Sequence, residues 1–312
     1  MAFKKAEKKG IRGRIAICGP SGSGKTMWSL ILASIFAGQY KTKIAFVDTE
    51  QGSAVKYADL FEFDVQELFD DFGPQRYVAA MKEAADAGYG VITLDSITHA
   101  WAGTGGLLDQ NYETAKKMRN ANSYAAWRET TPKHNEFIEA MLAYPGHLIA
   151  TMRTKTEYVQ SEDDRGKKQI QKVGMAPIQR DGMEYEFDMV FDVNMEHELI
   201  VGKTRCKTIA DKVYKPTDAD AKKLAKAIIT WLGDQATVVD RGMPQPERET
   251  ILQRIDTGLQ KLFADPAEAA VYCENKIGKL DPNKMTDDEL AALFECIKAD
   301  YKAKQKEASD AA

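Results

Sequence analysis

Residues 19–26 read GPSGSGKT. They fit G-x-x-x-x-G-K-[ST] without a mismatch, follow the apolar run RIAIC (14–18) and open the apolar stretch MWSLILASIFA (27–37). Strand, glycine-rich turn and helix thus come in the order that a phosphate-binding loop requires. Gly19, Gly22 and Gly24 let the backbone curl until successive N–H groups face one centre. With Pro20, Ser21 and Ser23 they form an anion cradle at the positive end of a helix. Lys25 has the reach to meet β and γ phosphates, and the Thr26 hydroxyl can complete a Mg²⁺ shell.

The pattern around the loop is that of an α/β protein. KIAFV (43–47), GVITL (90–94) and HLIATM (147–152) are short, nearly continuous apolar runs, as in parallel strands covered on both faces. Helical stretches at 25–37, 74–87 and 132–143 alternate with them, two ending just before Gly38 and Gly88 and the third shortly before Gly146. Such βαβ units place ligands at the carboxyl ends of the strands.

Three carboxylates fall on that edge. Asp95, with Ser96 beside it, ends GVITLDS and is the second metal-side residue a phosphate loop needs. AFVDTEQGS (45–53) ends its strand at Asp48 and carries Glu50 two residues on. Glu50 has the reach to orient an attacking water and accept its proton, and Asp48 is placed to support the loop or the metal's outer shell. The alternative is that both cap a turn before Gly52.

Composition narrows the classes. The chain has 312 residues, 44% apolar and 29% charged, with a net charge of −4, enough to bury a sizeable core and to form two domains. No apolar run approaches the ~18 residues of a membrane span, so no membrane partner and a cytoplasmic location are expected. The four cysteines and four histidines are scattered, without metal-ligand or disulfide spacing, and the histidines read as structural or surface residues. Six basic residues against one acid mark the start (1–14), whereas 245–312 carry ten basic against fourteen acidic. The expected division is a basic arm (1–11), a core (12–232), a Gly/Pro-containing linker (233–246) and a small helical region (247–312). In that last region Thr286 and Glu289 fit a capping box.

The succession GPSGSGKT, AFVDTEQG, VITLDSITH resembles the core of RecA-type recombinases, with VDTE matching that family's IDxE-like string. TMRTKTEY (151–158) and VGMAPIQRDGMEYEFD (173–188) resemble a narrower group, phage ATP-binding proteins with a RecA-like core, some of which anneal single strands. The resemblance spans roughly residues 12–232. It implies a RecA-like P-loop ATPase core with a mainly parallel sheet flanked by helices, followed by a small C-terminal helical appendage. It implies ATP and Mg²⁺ as cofactors, Glu50 as the water-activating base, and Thr151 and Arg153 as residues sensing the γ-phosphate; the family's glutamine is absent. Lys203 and Arg205, two apart in ELIVGKTRCK (198–207), would reach the phosphate of a neighbouring subunit, which implies self-assembly into a ring or filament. The other reading of that pair is solvent-facing residues on an edge strand.

Two segments are candidates for single-stranded DNA. SEDDRGKKQIQKVGMAPIQRDG (161–182) lies where the family has a DNA-binding loop and carries Arg165, Lys167, Lys168, Lys172 and Arg180, with a net charge of +1. Its alternative is a solvated hairpin tip. GTGGLLDQNYETAKKMRNANSYAAWRETTPKH (103–134) interleaves Lys116, Lys117, Arg119, Arg128 and Lys133 with Tyr112, Tyr124 and Trp127, cations beside stacking surfaces. Its alternative is an amphipathic helix with core aromatics. The sequence therefore predicts a DNA-stimulated ATPase that promotes annealing in homologous recombination, in a host cytoplasm if phage-encoded, with single-stranded DNA, its own copies and a single-strand-binding protein as partners. A nucleotide-gated loader with little turnover and a P-loop small-molecule kinase are the alternatives.

Overall fold

The apolar runs become strands because each is enclosed on both faces: every residue of Arg14–Gly19, Ile44–Asp48 and Val91–Asp95 is buried. A computed structural model describes residues 10–118, 122–162, 168–234, 245–263 and 265–310, together with Lys5 and Lys8. It divides into two units, Met1–Val239 and Asp240–Ala312.

In the first unit the elements run β1 (Arg14–Gly19), α1 (Lys25–Tyr40), β2 (Ile44–Asp48), β3 (Asp64–Glu67), α2 (Pro74–Asp86), β4 (Val91–Asp95), α3 (Thr98–Ala102), α4 (Leu107–Lys117) and α5 (Ser123–Ala143). They continue with β5 (His147–Glu162), β6 (Lys168–Pro177), β7 (Met189–Val193), β8 (Leu199–Thr204), β9 (Val213–Tyr214) and α6 (Asp218–Trp231). The sheet order is β3-β2-β4-β5-β1-β7-β8-β9, parallel from β3 through β7 and antiparallel in β8 and β9. This is the expected P-loop core of RecA-like fold. β1, which feeds the phosphate loop, and β4, which ends in Asp95, are separated by β5.

Two apolar layers sandwich the sheet. Trp28 and Phe36 of α1 pack with Leu224 and Ile228 of α6 on one face, and Tyr77 of α2 with Phe137 and Met141 of α5 on the other. Each such side chain taken from water contributes on the order of 2 kcal/mol.

Three details differ from the sequence reading. The helix expected to start at Pro132 begins at Ser123, with Asn122 accepting from Ala125 N at 3.1 Å, and runs through the proline. The buried face Ala126, Thr130, His134, Phe137 and Met141 outweighs the one hydrogen bond that Pro132 cannot make. The polar segment at 161–182 contributes strand at 161–162 and 168–177: β5 is 16 residues long, and from Thr154 to Glu162 it extends beyond the parallel sheet and pairs antiparallel with β6. Finally, the expected edge hairpin at 187–207 is internal on one side, since β7 pairs with β1, and β9 covers Leu199 and Ile200 of β8.

The second unit consists of α7 (Gln245–Leu262), α8 (Pro266–Ile277) and α9 (Asp287–Asp310) around Ile255, Leu259, Leu290, Leu293 and Ile297. Thr286 N donates to Glu289 Oε2 at 2.7 Å and Glu289 N to Thr286 Oγ1 at 3.3 Å, a reciprocal cap ahead of α9. No helix among the described residues is long and apolar enough to cross a membrane.

Candidate functional site

The loop after β1 turns through left-handed backbone at Gly22 (φ 80°) and Gly24 (φ 96°), which only glycine adopts without strain. Gly19 is required for space: a Cβ there would stand 2.6 Å from Ser23 Oγ and from Val193 O. Lys25 is 8% exposed and donates from Nζ to Pro20 O at 2.8 Å. Burial lowers its pKa, while Asp95 and Glu50 pull in the opposite direction. In this state the loop's cation is satisfied by the loop's own carbonyl, a bond that a phosphate oxygen would replace.

Asp95 is 2% exposed and accepts from two hydroxyls, Thr26 Oγ1 at 2.6 Å and Thr151 Oγ1. Burial raises its pKa, and the two hydroxyl bonds resist. A buried carboxylate beside a threonine hydroxyl at the foot of an anion cradle is a hard-oxygen donor set suited to Mg²⁺. A cation there would relieve the burial that pushes Asp95 toward protonation. Among the described residues no cluster of three His, Cys, Asp or Glu side chains forms a separate metal site.

The carboxylates of 48–50 have parted company. Asp48 closes the turn, accepting from Glu50 N at 2.6 Å and from Ala54 N at 2.9 Å. Glu50 leaves the turn and forms a two-pronged ion pair with Arg153, with Nε donating to Oε1 at 2.9 Å and a terminal guanidinium nitrogen to Oε2, while Ser96 Oγ donates to Oε1 at 3.2 Å. Burial pushes the Glu50 pKa up, but the Arg153 bond and charge, His99 and Ser96 together hold it below the ordinary carboxylate value. Thr151 and Arg153 therefore do different things: one bonds Asp95, the other Glu50.

Lys203 and Arg205 are turned toward their own chain. Lys203 Nζ donates to the carbonyls of Glu184, Tyr185 and Phe187 at 3.0, 3.0 and 2.8 Å, and burial followed by the Arg205 charge lowers its pKa. Arg205 lies beyond the end of β8 and bonds Asp188 Oδ1 at 3.1 Å. Strand alternation does not register the 183–188 segment, whose carbonyls take Lys203 as donor and whose Asp188 carboxylate takes Arg205.

Histidines were the residues that spacing undervalued. His134 and His147 are buried in the packing, but His99 and His197 stand at the site. His99 Nδ1 is 2.8 Å from Thr49 Oγ1 and its ring lies against Phe72; burial lowers its pKa. The available signal was position: His99 is four residues after Asp95, in the helix that follows its strand.

The two candidate DNA segments meet. Arg180, just past β6, lies over the Trp127 ring at 5.6 Å, and Trp127 stacks on Trp101 with 5.6 Å between centroids and 16° between planes. Gln179 Nε2 donates to Ile97 O and Ile178 N to Arg153 O, tying the base of the β5–β6 hairpin to the nucleotide site. On α4, Lys116 lies 4.2 Å over Tyr112 and pairs with Glu113, and Lys117 is exposed. Tyr112 (59% exposed) and Tyr124 (88%) are surface residues, not core. Arg119 and Lys167 lie outside the described residues, as does Arg165. Lys168 and Lys172 belong to β6, their side chains outside the description.

A family model described as AAA domain matches residues 12–223. No curated protein matches the chain. Among solved structures, a KaiC-like protein, PH0186, from the hyperthermophilic archaeon Pyrococcus horikoshii OT3 is similar at 12% identity and a TM-score of 0.39, over 65% of this chain and 83% of that one.

Proposed function

As this chain belongs to the AAA domain family of nucleotide-binding P-loop ATPases, we propose that it hydrolyses ATP with Mg²⁺ in step with binding single-stranded DNA, and that it promotes strand annealing in homologous recombination. The observation that carries the coupling is the hairpin base: Arg153 pairs with Glu50 through its side chain and receives Ile178 N on its carbonyl.

In this reading the loop amides and Lys25 bind the phosphates. Thr26 and Asp95 would hold the Mg²⁺, which would supply charge neutralisation at the phosphates. Glu50 takes the proton from the attacking water once Arg153 has left it. Single-stranded DNA lies across Tyr112, Tyr124 and Trp127, with Lys116, Lys117 and Arg180 meeting phosphate, an arrangement favoured by the exposure of the two tyrosines. Arg119, Lys167, Lys168 and Lys172 are further cations assigned to the DNA strand in this proposal on sequence alone. Lys203 and Arg205 act across a subunit boundary only after giving up their in-chain bonds, on assembly into a ring or filament. A single-strand-binding protein as a further partner, and a cytoplasmic site of action, complete the proposal.

A second reading, a nucleotide-gated loader with little turnover, is favoured by the same ion pair: a glutamate held by a guanidinium is a poor base. Steady-state ATP hydrolysis with and without single-stranded DNA, with duplex DNA as control, separates the two. Stimulation by the single strand supports the coupled ATPase. A rate near zero in all three conditions, with ATP still bound, supports the loader.

A further inference from the structure

The turn between β7 and β8, residues 194–198, lies against the phosphate loop. His197 Nδ1 is 2.9 Å from Ser23 O. A carbonyl only accepts, so Nδ1 carries the proton and donates. The Trp28 indole Nε1 returns a bond to His197 O at 2.9 Å, and the imidazole lies 3.3 Å from where a Cβ on Gly24 would stand. The turn is itself closed: Glu198 N donates to Asn194 Oδ1 at 2.8 Å, His197 N to Asn194 O at 3.1 Å, and Asn194 Nδ2 to Glu198 Oε2 at 3.1 Å. His197 has φ 64°, a left-handed conformation that costs free energy outside glycine.

Inside the loop the supports are fewer. Ser23 N reaches Pro20 O at 3.3 Å, Lys25 Nζ shares that acceptor at 2.8 Å, and Ser23 Oγ is buried with no partner among the described residues. The lysine bond is the one that a phosphate must displace. The Ser23–Gly24 peptide is therefore held chiefly from outside.

We propose that His197 is a positioning residue of the phosphate site. In a trans peptide the carbonyl and the following N–H point in opposite directions. Drawing the Ser23 carbonyl onto His197 turns the Gly24 N–H away from the 194–198 turn and into the concave side of the loop, where an anion is bound. The histidine sets the loop's amide in advance and touches no reacting atom.

The test uses the full chain with His197→Asn, His197→Gly and His197→Ala. Asn keeps an N–H donor and tolerates positive φ, Gly relieves the backbone without a donor, and Ala does neither. Two quantities are read: amide hydrogen exchange at residues 22–25 in nucleotide-free protein, and the Kd for a fluorescent ATP analogue, with thermal midpoints as a check on folding. Exchange and Kd are expected to rise roughly tenfold in Ala and Gly and to stay within about twofold of wild type in Asn, the scale of one hydrogen bond. Recovery in Gly, or unchanged exchange in all three, would overturn the proposal. Only the Kd readout rests on the ATPase reading. If wild type fails to bind the analogue, that reading falls, while exchange still judges His197.

Discussion

The phosphate loop and the α4–α5 face treat their cations in opposite ways. At the loop, Lys25 and Arg153 are bonded to oxygens of their own chain, Pro20 O and Glu50. On the α4–α5 face, Lys116 and Arg180 lie over aromatic rings that open to solvent or sit close beneath the surface. The first arrangement suits a ligand with enough charge to displace existing bonds, a triphosphate. The second suits a flexible polyanion with stackable bases, since the one ion pair it must displace, Lys116 with Glu113, is solvent-exposed and weak. In the proposed function, selectivity at the one and tolerance at the other would follow from how each cation is already satisfied.

The largest effect that would break this comparison is at Lys25. Lys25→Ala is expected to lower kcat/KM for ATP by roughly 10³-fold or more, measured by steady-state hydrolysis; near-normal turnover would remove the loop from the chemistry. Next comes Glu50→Gln, which keeps the shape but cannot take a proton. Turnover should drop about 10²–10³-fold while an ATP analogue still binds in equilibrium titration, and an unchanged rate would leave Glu50 as Arg153's anchor alone.

The contact at the far end of β1 from the loop gives a pH-dependent outcome. Gly13 N donates to His147 Nδ1 at 3.2 Å, and the ring lies between Phe36 and Tyr40. Burial and the charges of Arg12 and Arg14 push its pKa down to about 3 from 6.5. Between those values the unfolded chain takes the proton and the fold refuses it. The stabilisation is complete above pH 6.5 and is lost as pH falls toward 3, about 2 kcal/mol between pH 6.5 and 5. Urea unfolding at pH 7 and pH 5 reads this directly, and His147→Gln should flatten the slope.

On the open face the effects are smaller. Trp127→Ala is expected to weaken single-stranded DNA binding about tenfold by anisotropy, the loss of one stacking surface. Lys117→Ala, the smallest, should weaken binding evenly across sequences and reduce the salt slope by about one unit. If Trp127→Ala instead leaves DNA affinity intact, the stack with Trp101 is packing and the comparison fails on that side.

The nucleotide site was legible because its chemistry is local in sequence. Gly19 to Thr26 are consecutive, Asp95 closes an apolar run, and Glu50 follows two residues after Asp48 closes another, which fixes the edge they occupy. What escaped depends on contacts between distant segments. His197 reaches Ser23 across 174 positions, Lys203 is claimed by carbonyls at 184–187, and Arg153 meets Glu50 across 103 positions. The start of α5 was missed because Pro132 reads as a boundary until the buried face on both sides of it is known. The aromatics of 103–134 had two equal readings from spacing, and fractional exposure separated Tyr112 and Tyr124 from the core.

β5 is wedged by its root between the strand of the phosphate loop and the strand of Asp95, then leaves the sheet at Thr154 and pairs with β6 to Glu162, with a shift of register between Glu157 and Tyr158. Nine residues at strand rise make an arm of about 30 Å. A sideways load that shifts its outer end by ~3 Å turns it through about a tenth of a radian over that length. Thr151 and Arg153 stand at the root of that arm, so the residues that bond Asp95 and Glu50 are the last that β5 contributes before it leaves the sheet.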